Sequence, residues 1–399
     1  MKKKVLFMVI NMNVGGTEKA LLNMIEEMEE NQYDVTIYML EEYGGFLDQI
    51  PKWVKIKVFP NYEQIKDTLN DPPKQTILAN LKKKNVTHAF RLLLLHIQSK
   101  LTKERSALFR YLLKQYPIDS TEYDIAVAYA GPMDFISYFV LHKIKAKKKV
   151  QWIHFDITKI GFNISFAAKH YKKFDNIFVV SKEGKKKLIE KVPFLQHKIE
   201  TFYNVVPVEQ ILKLSKENGG FDDDFQGLRI LTVGRLSKEK GQDLTISAMA
   251  KLKREGYNVR WYCIGEGNAR QEYESLIKEH NLEKDYVLLG NKINPYPYMA
   301  QCDIYVQSSR HEGYCITLAE VKCFHKPIIS TKVNGVTEHI QHEESGIVIE
   351  FDEEELFLAT RKLIVDRQYS KDLCEKQYVN DRHSSFHINE QNEFKVIVS

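Results

Sequence analysis

The amino-acid sequence predicts an α/β chain built of two doubly wound, Rossmann-like domains facing across a cleft. Short β-branched runs alternate with amphipathic stretches along most of the 399 residues, the pattern of βαβ units on parallel sheets. One polar connector, Lys216–Gly227, interrupts the alternation, which then starts afresh. The length also suits two domains of ordinary size better than one core. These observations divide the chain into a first domain at 1–217, a second at 218–370 and a helical tail at 371–399, the tail placed to pack back on the first domain.

Seven strands are expected before the connector: Val5–Ile10, Val35–Met39, Ile56–Phe59, Ile125–Tyr129, Val150–His154, Ile177–Val180 and Ile199–Phe202. Six follow it: Arg229–Val233, Val259–Ile264, Val287–Leu289, Ile304–Gln307, Ile328–Ser330 and Ile347–Ile349. The stretch Thr76–Tyr116 departs from the alternation. It is helical in pattern, and its Lys82–Lys114 portion carries nine basic residues against the single acid Glu104, interleaved with Leu92–Leu95, Ile97, Leu101, Leu108, Tyr111 and Leu112. That mixture suits a helix lying on an anionic membrane surface.

Composition is that of a globular protein. Residues 1–217 hold 35 Lys+Arg against 24 Asp+Glu, and the remainder 23 against 29, so a basic first half precedes an acidic second half. A basic half facing something anionic fits that asymmetry, and so do lysines on solvated helix faces. Five cysteines between Cys263 and Cys374 show no paired spacing and read as reduced thiols of a cytosolic protein. The basic, apolar start lacks a small-residue cleavage site and fits a first strand better than a signal peptide. The longest other apolar run, Leu92–Leu95, is too short to span a bilayer.

Three segments carry chemistry. Gly15 and Gly16 follow the first strand, and Thr17 is placed to cap a helix over Thr17–Glu30; a strand, a Gly-Gly loop and a helix start bind anions through free N–H groups. Gly234-Arg235 and Lys240-Gly241 follow the first strand of the second domain, where Arg235 can grip a phosphate bidentately and Lys240 adds a point charge. Glu312 and Glu320 stand eight apart around a Gly-Tyr turn, between the strands Ile304–Gln307 and Ile328–Ser330. Asp222-Asp223-Asp224 has the letters of a metal-binding Asp-x-Asp but lies in the connector with no strand feeding it, and reads as a solvated linker.

The ordered set GGTE, GRLSKEKG, EGYCITLAE and KPIIS followed by NGVTE resembles glycosyltransferase family 4, retaining enzymes of the GT-B fold, of the bacterial cell-surface glycan type. The resemblance is densest over Leu228–Glu350 and thinner over 1–205. It implies that Gly15 and Gly16 lie against the donor diphosphate or the acceptor, and that Arg235 and Lys240 neutralise the leaving diphosphate. It implies that Glu312 contacts the transferred sugar and that Glu320 holds the ribose. Backbone at Gly313, Tyr314, Ile316, Thr317 and Leu318 would meet sugar hydroxyls and phosphate, and Ile293, within Gly290–Asn294, would meet the base. His154 falls where the family places a histidine near the donor sugar. The sequence departs from the family at Cys315, which replaces a small or aromatic residue.

The resemblance thus implies transfer from a nucleotide sugar, UDP-linked by preference, without a metal or other cofactor. The acceptor would be a lipid-linked, cell-surface glycan or protein, met in the cytoplasm or on the inner membrane face. A dehydrogenase is disfavoured because Arg270 stands where the third glycine of a dinucleotide fingerprint belongs. A nucleic-acid-binding protein lacks any supporting motif. An inactive GT-B-fold binding protein shares every motif named here.

Overall fold

The computed structural model describes residues 2–383. It divides into two compact units, one ending at Tyr203 and the other beginning at Asn204. The break falls before the expected boundary at 217, because the helix Val208–Leu214 packs on the helix Tyr296–Gln301 of the second unit. The Leu214 carbonyl also accepts a hydrogen bond from Asn294.

The first unit carries β1 (Lys3–Val9), β2 (Tyr33–Met39), β3 (Lys55–Val58), β4 (Glu122–Gly131), β5 (Lys145–Ile153), β6 (Asn176–Val179) and β7 (Ile199–Thr201). They form one parallel sheet in the order β3-β2-β1-β4-β5-β6-β7. The order reverses between β1 and β4, which are adjacent through pairs such as Val5 with Ile125. Leu6, Met8, Ala126, Ile153 and Ile177 cover one face of the sheet and pack on Phe109, Phe135, Phe139 and Phe166 from the helices. Strand β5 starts five residues before the expected Val150. Its KAKKK opening is not apolar; Lys147 instead pairs with Asp124 of β4, and Lys149 donates to the Leu141 carbonyl.

The second unit carries β8 (Leu228–Val233), β9 (Val259–Ile264), β10 (Tyr286–Leu288), β11 (Ile304–Gln307), β12 (Ile328–Thr331) and β13 (Ile347–Ile349), again parallel, in the order β10-β9-β8-β11-β12-β13. Its reversal lies between β8 and β11. The core gathers Ile230, Trp261, Ile304, Val306 and Ile329 from the strands with Leu244, Met249, Leu356 and Leu363 from the helices. All thirteen expected strands are therefore present, in two sheets.

The described start of the tail, in the helix Arg367–His383, packs on the second unit: Leu373 enters its core, and Gln377 donates to the carbonyls of Lys326 and Ser345. The rest of the tail, expected to pack back on the first domain, lies outside the described residues. The reading of Asp223 needs correction. Asp223 is no solvated linker. Its carboxylate accepts from Arg229 at 2.8 Å, Arg260 at 2.9 Å and the Tyr262 hydroxyl at 2.5 Å, which ties the connector to β8 and β9. Burial raises its pKa, but these three bonds outweigh that and hold the carboxyl down to about 2.

Candidate functional site

Open parallel sheets bind ligands beyond the carboxyl ends of their strands, at the point where the strand order reverses. In the second unit that point is flanked by the loop after β8, residues 234–241, and the loop after β11, residues 308–315. The sequence places Arg235 and Lys240 in the first and Glu312 in the second.

The two loops are clasped together by backbone geometry. Gly241 adopts φ +67°, and a β-carbon there would lie 2.2 Å from the Ser308 carbonyl oxygen, so only glycine lets the loops approach this closely. Ser308 Oγ donates to the Lys240 carbonyl at 2.9 Å. The Arg310 backbone N–H donates to the Glu239 carbonyl at 2.7 Å, and its guanidinium forks onto Asp243. Gly265 and Gly267 back the arrangement: a β-carbon on either would strike the carbonyl of Gly234 or of Leu236. The glycines that resemble a dinucleotide fingerprint thus serve to pack one backbone on another.

Across this clasp Lys240 Nζ lies 2.5 Å from Glu312 Oε1. The same oxygen accepts from Ser309 Oγ at 2.6 Å and from Gln307 Nε2 at 3.0 Å. Gln307 is itself fixed, because its Oε1 accepts from the hydroxyls of Tyr305 and Thr317, each at 3.0 Å. Three donors on one oxygen define the carboxylate's position. Arg235 is exposed on the neighbouring loop.

Glu320 is buried on the helix Ile316–Lys322, and its Oε1 accepts from the Tyr296 hydroxyl at 2.9 Å. Both glutamates act on the Tyr305 phenol: burial raises its pKa most, and the Glu320 and Glu312 charges add to that. The structure thus gathers Lys240, Glu312 and Glu320 around the end of β11.

The turn between the glutamates is seated by the NGVTE segment and by His339, which follows it. His339 Nε2 donates to the Tyr314 carbonyl at 2.6 Å, Asn334 Nδ2 donates to the Gly313 carbonyl, and Gly335, at φ +80°, leaves room for the Tyr314 backbone. Burial pushes His339 down to about 4, the bond to Tyr314 opposing it, so the ring is neutral near pH 7. Cys315 precedes the helix at φ +59°, with its thiol buried against the Asn334 carbonyl and pushed well up by desolvation. The seat holds the backbone of Gly313 and Tyr314, and Ile316, Thr317 and Leu318 follow in the first turn of the helix. Ile293 lies in the loop after β10 and is 66% exposed.

In the first unit Gly15 is the extended residue before the helix Gly16–Glu26, at the carboxyl end of β1. Thr17 lies inside the first turn and does not cap it; no side chain does, so the helix N-terminus presents backbone N–H groups alone. His154 follows β5, with its backbone N–H donating to the Gly131 carbonyl and its ring stacked parallel to Trp152 and against Tyr129. Burial pushes it down to about 3, against a bond to the Tyr129 backbone. Its Nε2 has no hydrogen-bond partner among the described residues. A neutral imidazole held through its other nitrogen keeps Nε2 as an acceptor.

Sequence reasoning named the charged residues and missed their holders: Gln307, Ser309, Arg310, Tyr296, Asn334 and His339. Only the order of NGVTE after KPIIS pointed toward one of them, Asn334.

Residues 222–379 match the family model described as Glycosyl transferases group 1. Over 203 residues the chain is 33% identical to the N-acetylgalactosamine-N,N'-diacetylbacillosaminyl-diphospho-undecaprenol 4-alpha-N-acetylgalactosaminyltransferase of Campylobacter jejuni, covering 50% of this chain and 54% of that one. The chain thus spans about half the length of that relative. It is 22% identical to the amylovoran biosynthesis glycosyltransferase AmsD of Erwinia amylovora, over 92% of both chains. Among solved structures, Anabaena Alr3699/HepE in complex with UDP and glucose aligns over 100% of both chains with a TM-score of 0.70 at 16% identity. The chain thus carries a glycosyl transferases group 1 domain at residues 222–379 and has the GT-B fold.

Proposed function

We propose that this chain is a retaining, metal-independent glycosyltransferase that moves a hexosyl or N-acetylhexosaminyl group from a UDP-sugar to a lipid-linked or other cell-surface glycan acceptor. The observation that carries the reading is the Lys240–Glu312 pair, set where the strand order reverses between β8 and β11. In the reaction the bond from anomeric carbon to phosphate oxygen breaks, with its electron pair leaving on the diphosphate. The acceptor oxygen bonds to that carbon, and its proton passes to the departing phosphate oxygen on the same face of the sugar. Negative charge grows on the diphosphate and positive character on the sugar ring.

Arg235 and Lys240 oppose the first, and preorganised contacts of this kind are each worth roughly 10²–10³ in rate. Glu312, fixed by its three donors, faces the second and holds sugar hydroxyls. Glu320, oriented by Tyr296, takes the ribose diol, and the backbone from Gly313 to Leu318 meets phosphate and sugar. Ile293 and its loop back the base. His154 accepts from a sugar hydroxyl through Nε2, and Gly15 and Gly16 offer N–H groups to the diphosphate or acceptor. Metal independence rests on the family resemblance and on Arg235 and Lys240 as the cations of the site, and the central carboxylate of the Asp222–Asp224 run, Asp223, is engaged by two arginines and a tyrosine.

The similarity to a transferase whose name specifies a diphospho-undecaprenol acceptor, and to one of amylovoran biosynthesis, supports the acceptor class. The test is a panel of UDP-, GDP- and ADP-sugars, scored by nucleotide release with and without lipid-linked acceptors. Acceptor-stimulated UDP release and an α-anomeric product from an α-linked donor are expected. Release confined to GDP or ADP donors, or a β-anomer by NMR coupling, overturns the reading.

A further inference from the structure

The helix Val86–Thr102 in the first unit is apolar on the wrong side. Its inward side uses Ala89 and Leu92, which are buried, with Leu95 and His96 partly so. A helix packed on one side normally turns polar residues outward. Here Val86, Phe90, Leu93, Leu94, Ile97 and Leu101 recur at helical spacing on a single outward stripe about 100° wide. Leu101 is 80% exposed, and Val86 and Phe90 are each 60% exposed. The preceding helix, Pro73–Lys82, adds exposed Leu78 and Leu81. Isolated exposed leucines need no explanation, but eight large side chains on two packed helices form a patch that is usually covered.

The charges around the patch indicate what covers it. Between Pro72 and Lys103 the sequence holds seven basic residues and no acidic one. Lys82, Lys83 and Lys84 fill the turn joining the two helices, all exposed, while Arg91 and Lys100 flank the stripe and Lys103 ends it. The acid that follows the stripe, Glu104, is turned inward: it accepts from the Ser106 backbone and hydroxyl and from Lys169. A second copy of this chain seated on the patch would bring two sets of like charges together without a compensating carboxylate. Lipid phosphates supply the opposite charge, and acyl chains supply the apolar phase. Among the described residues no helix is long and apolar enough to cross a membrane, so this one would lie in the interface plane.

We propose that the outward stripe of the helix Val86–Thr102 and its basic rim dock this chain on an anionic lipid surface, Phe90, Leu94 and Leu101 entering the acyl boundary while Lys82–Lys84 meet the headgroup phosphates. The nine-basic-residue expectation is thereby narrowed. Leu92, Leu108 and Leu112 pack inward or against the core, and the stripe is made by Val86, Phe90, Leu93, Leu94, Ile97 and Leu101.

The test is co-sedimentation of the full chain with phosphatidylcholine vesicles, with and without phosphatidylglycerol, in the absence of donor and acceptor. The result is therefore independent of the transferase reading. Wild-type protein should sediment with the anionic vesicles only, and raising salt from roughly 0.05 to 0.5 M should weaken binding. The variant Phe90→Ser/Leu94→Ser/Leu101→Ser, altered only at exposed positions, should bind about tenfold or more weakly with an unchanged thermal midpoint. Lys82→Gln/Lys83→Gln/Lys84→Gln should lose the lipid-charge dependence. Wild-type sedimentation with neither vesicle type, or equal binding by the triple serine variant, overturns the proposal. So does a wild-type dimer in solution that this variant converts to a monomer without any vesicle binding, which would assign the stripe to a second copy.

Discussion

Lys240 Nζ sits 2.5 Å from Glu312 Oε1, and that contact is the side-chain ion pair between the two loops leaving the reversal point of the second sheet. The pair is part of a chain of partners rather than an isolated bridge. Ser309 and Gln307 share the same carboxylate oxygen, and Tyr305 and Thr317 fix Gln307 in turn. Glu312 is nearly enclosed while Lys240 stays partly exposed. A lysine so placed can hold the carboxylate and still present charge to a phosphate.

Different losses are therefore expected from the residues around this pair. Lys240→Ala and Arg235→Ala should each lower kcat/KM by roughly 100-fold. Glu312→Ala should reduce kcat strongly while leaving the Kd for free UDP within a few fold. Glu320→Ala should do the reverse, and Tyr296→Phe should weaken UDP binding in the same sense by removing the donor that orients Glu320. Calorimetry with UDP beside steady-state kinetics reads both quantities. Equal loss of UDP affinity in the Glu312 and Glu320 variants would contradict this division.

His339 couples the seat of the Gly313-Tyr314 turn to pH. Its folded pKa of about 4 lies below the ordinary 6.5, so the unfolded chain binds the proton more readily. The stability it contributes is complete above about pH 6.5 and is lost as pH falls toward 4, reaching a loss of about 2 kcal/mol by pH 5. His142 and His170, also held down to about 4 by burial, push in the same direction. Thermal melts from pH 7.5 to 5 should show a falling midpoint. His339→Gln, which keeps a donor and removes the titration, should flatten part of that slope while lowering stability at pH 7.5. An unchanged slope in this variant would remove His339 from the account.

The thirteen strands were legible because parallel strands buried on both faces leave unbroken β-branched runs, whether at Val5–Ile10 or Ile304–Gln307. The lysine-rich opening of β5 was not, since its partner is Asp124 on a neighbouring strand and no local pattern records that. The charged residues of the site stood out because Gly234-Arg235, Lys240-Gly241 and Glu312-Gly313 follow strands directly. Their holders were invisible for a related reason. Gln307 reads as one more strand residue and His339 as one more surface histidine until the fold brings them to Glu312 and Tyr314. Asp223 was misjudged because its partners, Arg229, Arg260 and Tyr262, are spread over two strands.

Glycine is required at Gly241 and optional at Gly234. At Gly241 a side chain meets both a left-handed backbone and a carbonyl oxygen 2.2 Å away, so alanine forces the two loops apart. At Gly234 the nearest atom would be 3.7 Å distant, on the flexible Lys240 side chain. Gly241→Ala should therefore lower Tm by several degrees and kcat/KM by at least about tenfold, through the displaced Lys240 and Glu312. Gly234→Ala should leave Tm unchanged. Matching melts of the two variants would show that the clasp is not held by Gly241.

Asp223 separates a structural carboxylate from a metal-binding one. Replacing it with Asn keeps the shape but removes the charge that two guanidinium groups and a phenol share, so Arg229 and Arg260 lose their common partner. Loss of one member of such a hydrogen-bonded cluster typically costs about 1–3 kcal/mol, and the part-exposed setting of Asp223 places it toward the lower end. Asp223→Asn should accordingly melt a few degrees below wild type. The contribution is also pH-dependent. With a folded pKa near 2 against an ordinary 3.8, it is fully present above about pH 4 and fades as pH falls toward 2. At neutral pH and at a temperature where both proteins are folded, kcat/KM of the variant should equal that of wild type, with and without EDTA. Activity lost in EDTA and restored by Mn²⁺ in wild type, together with a Mn²⁺ requirement raised by Asp223→Asn, would instead make this carboxylate a metal ligand.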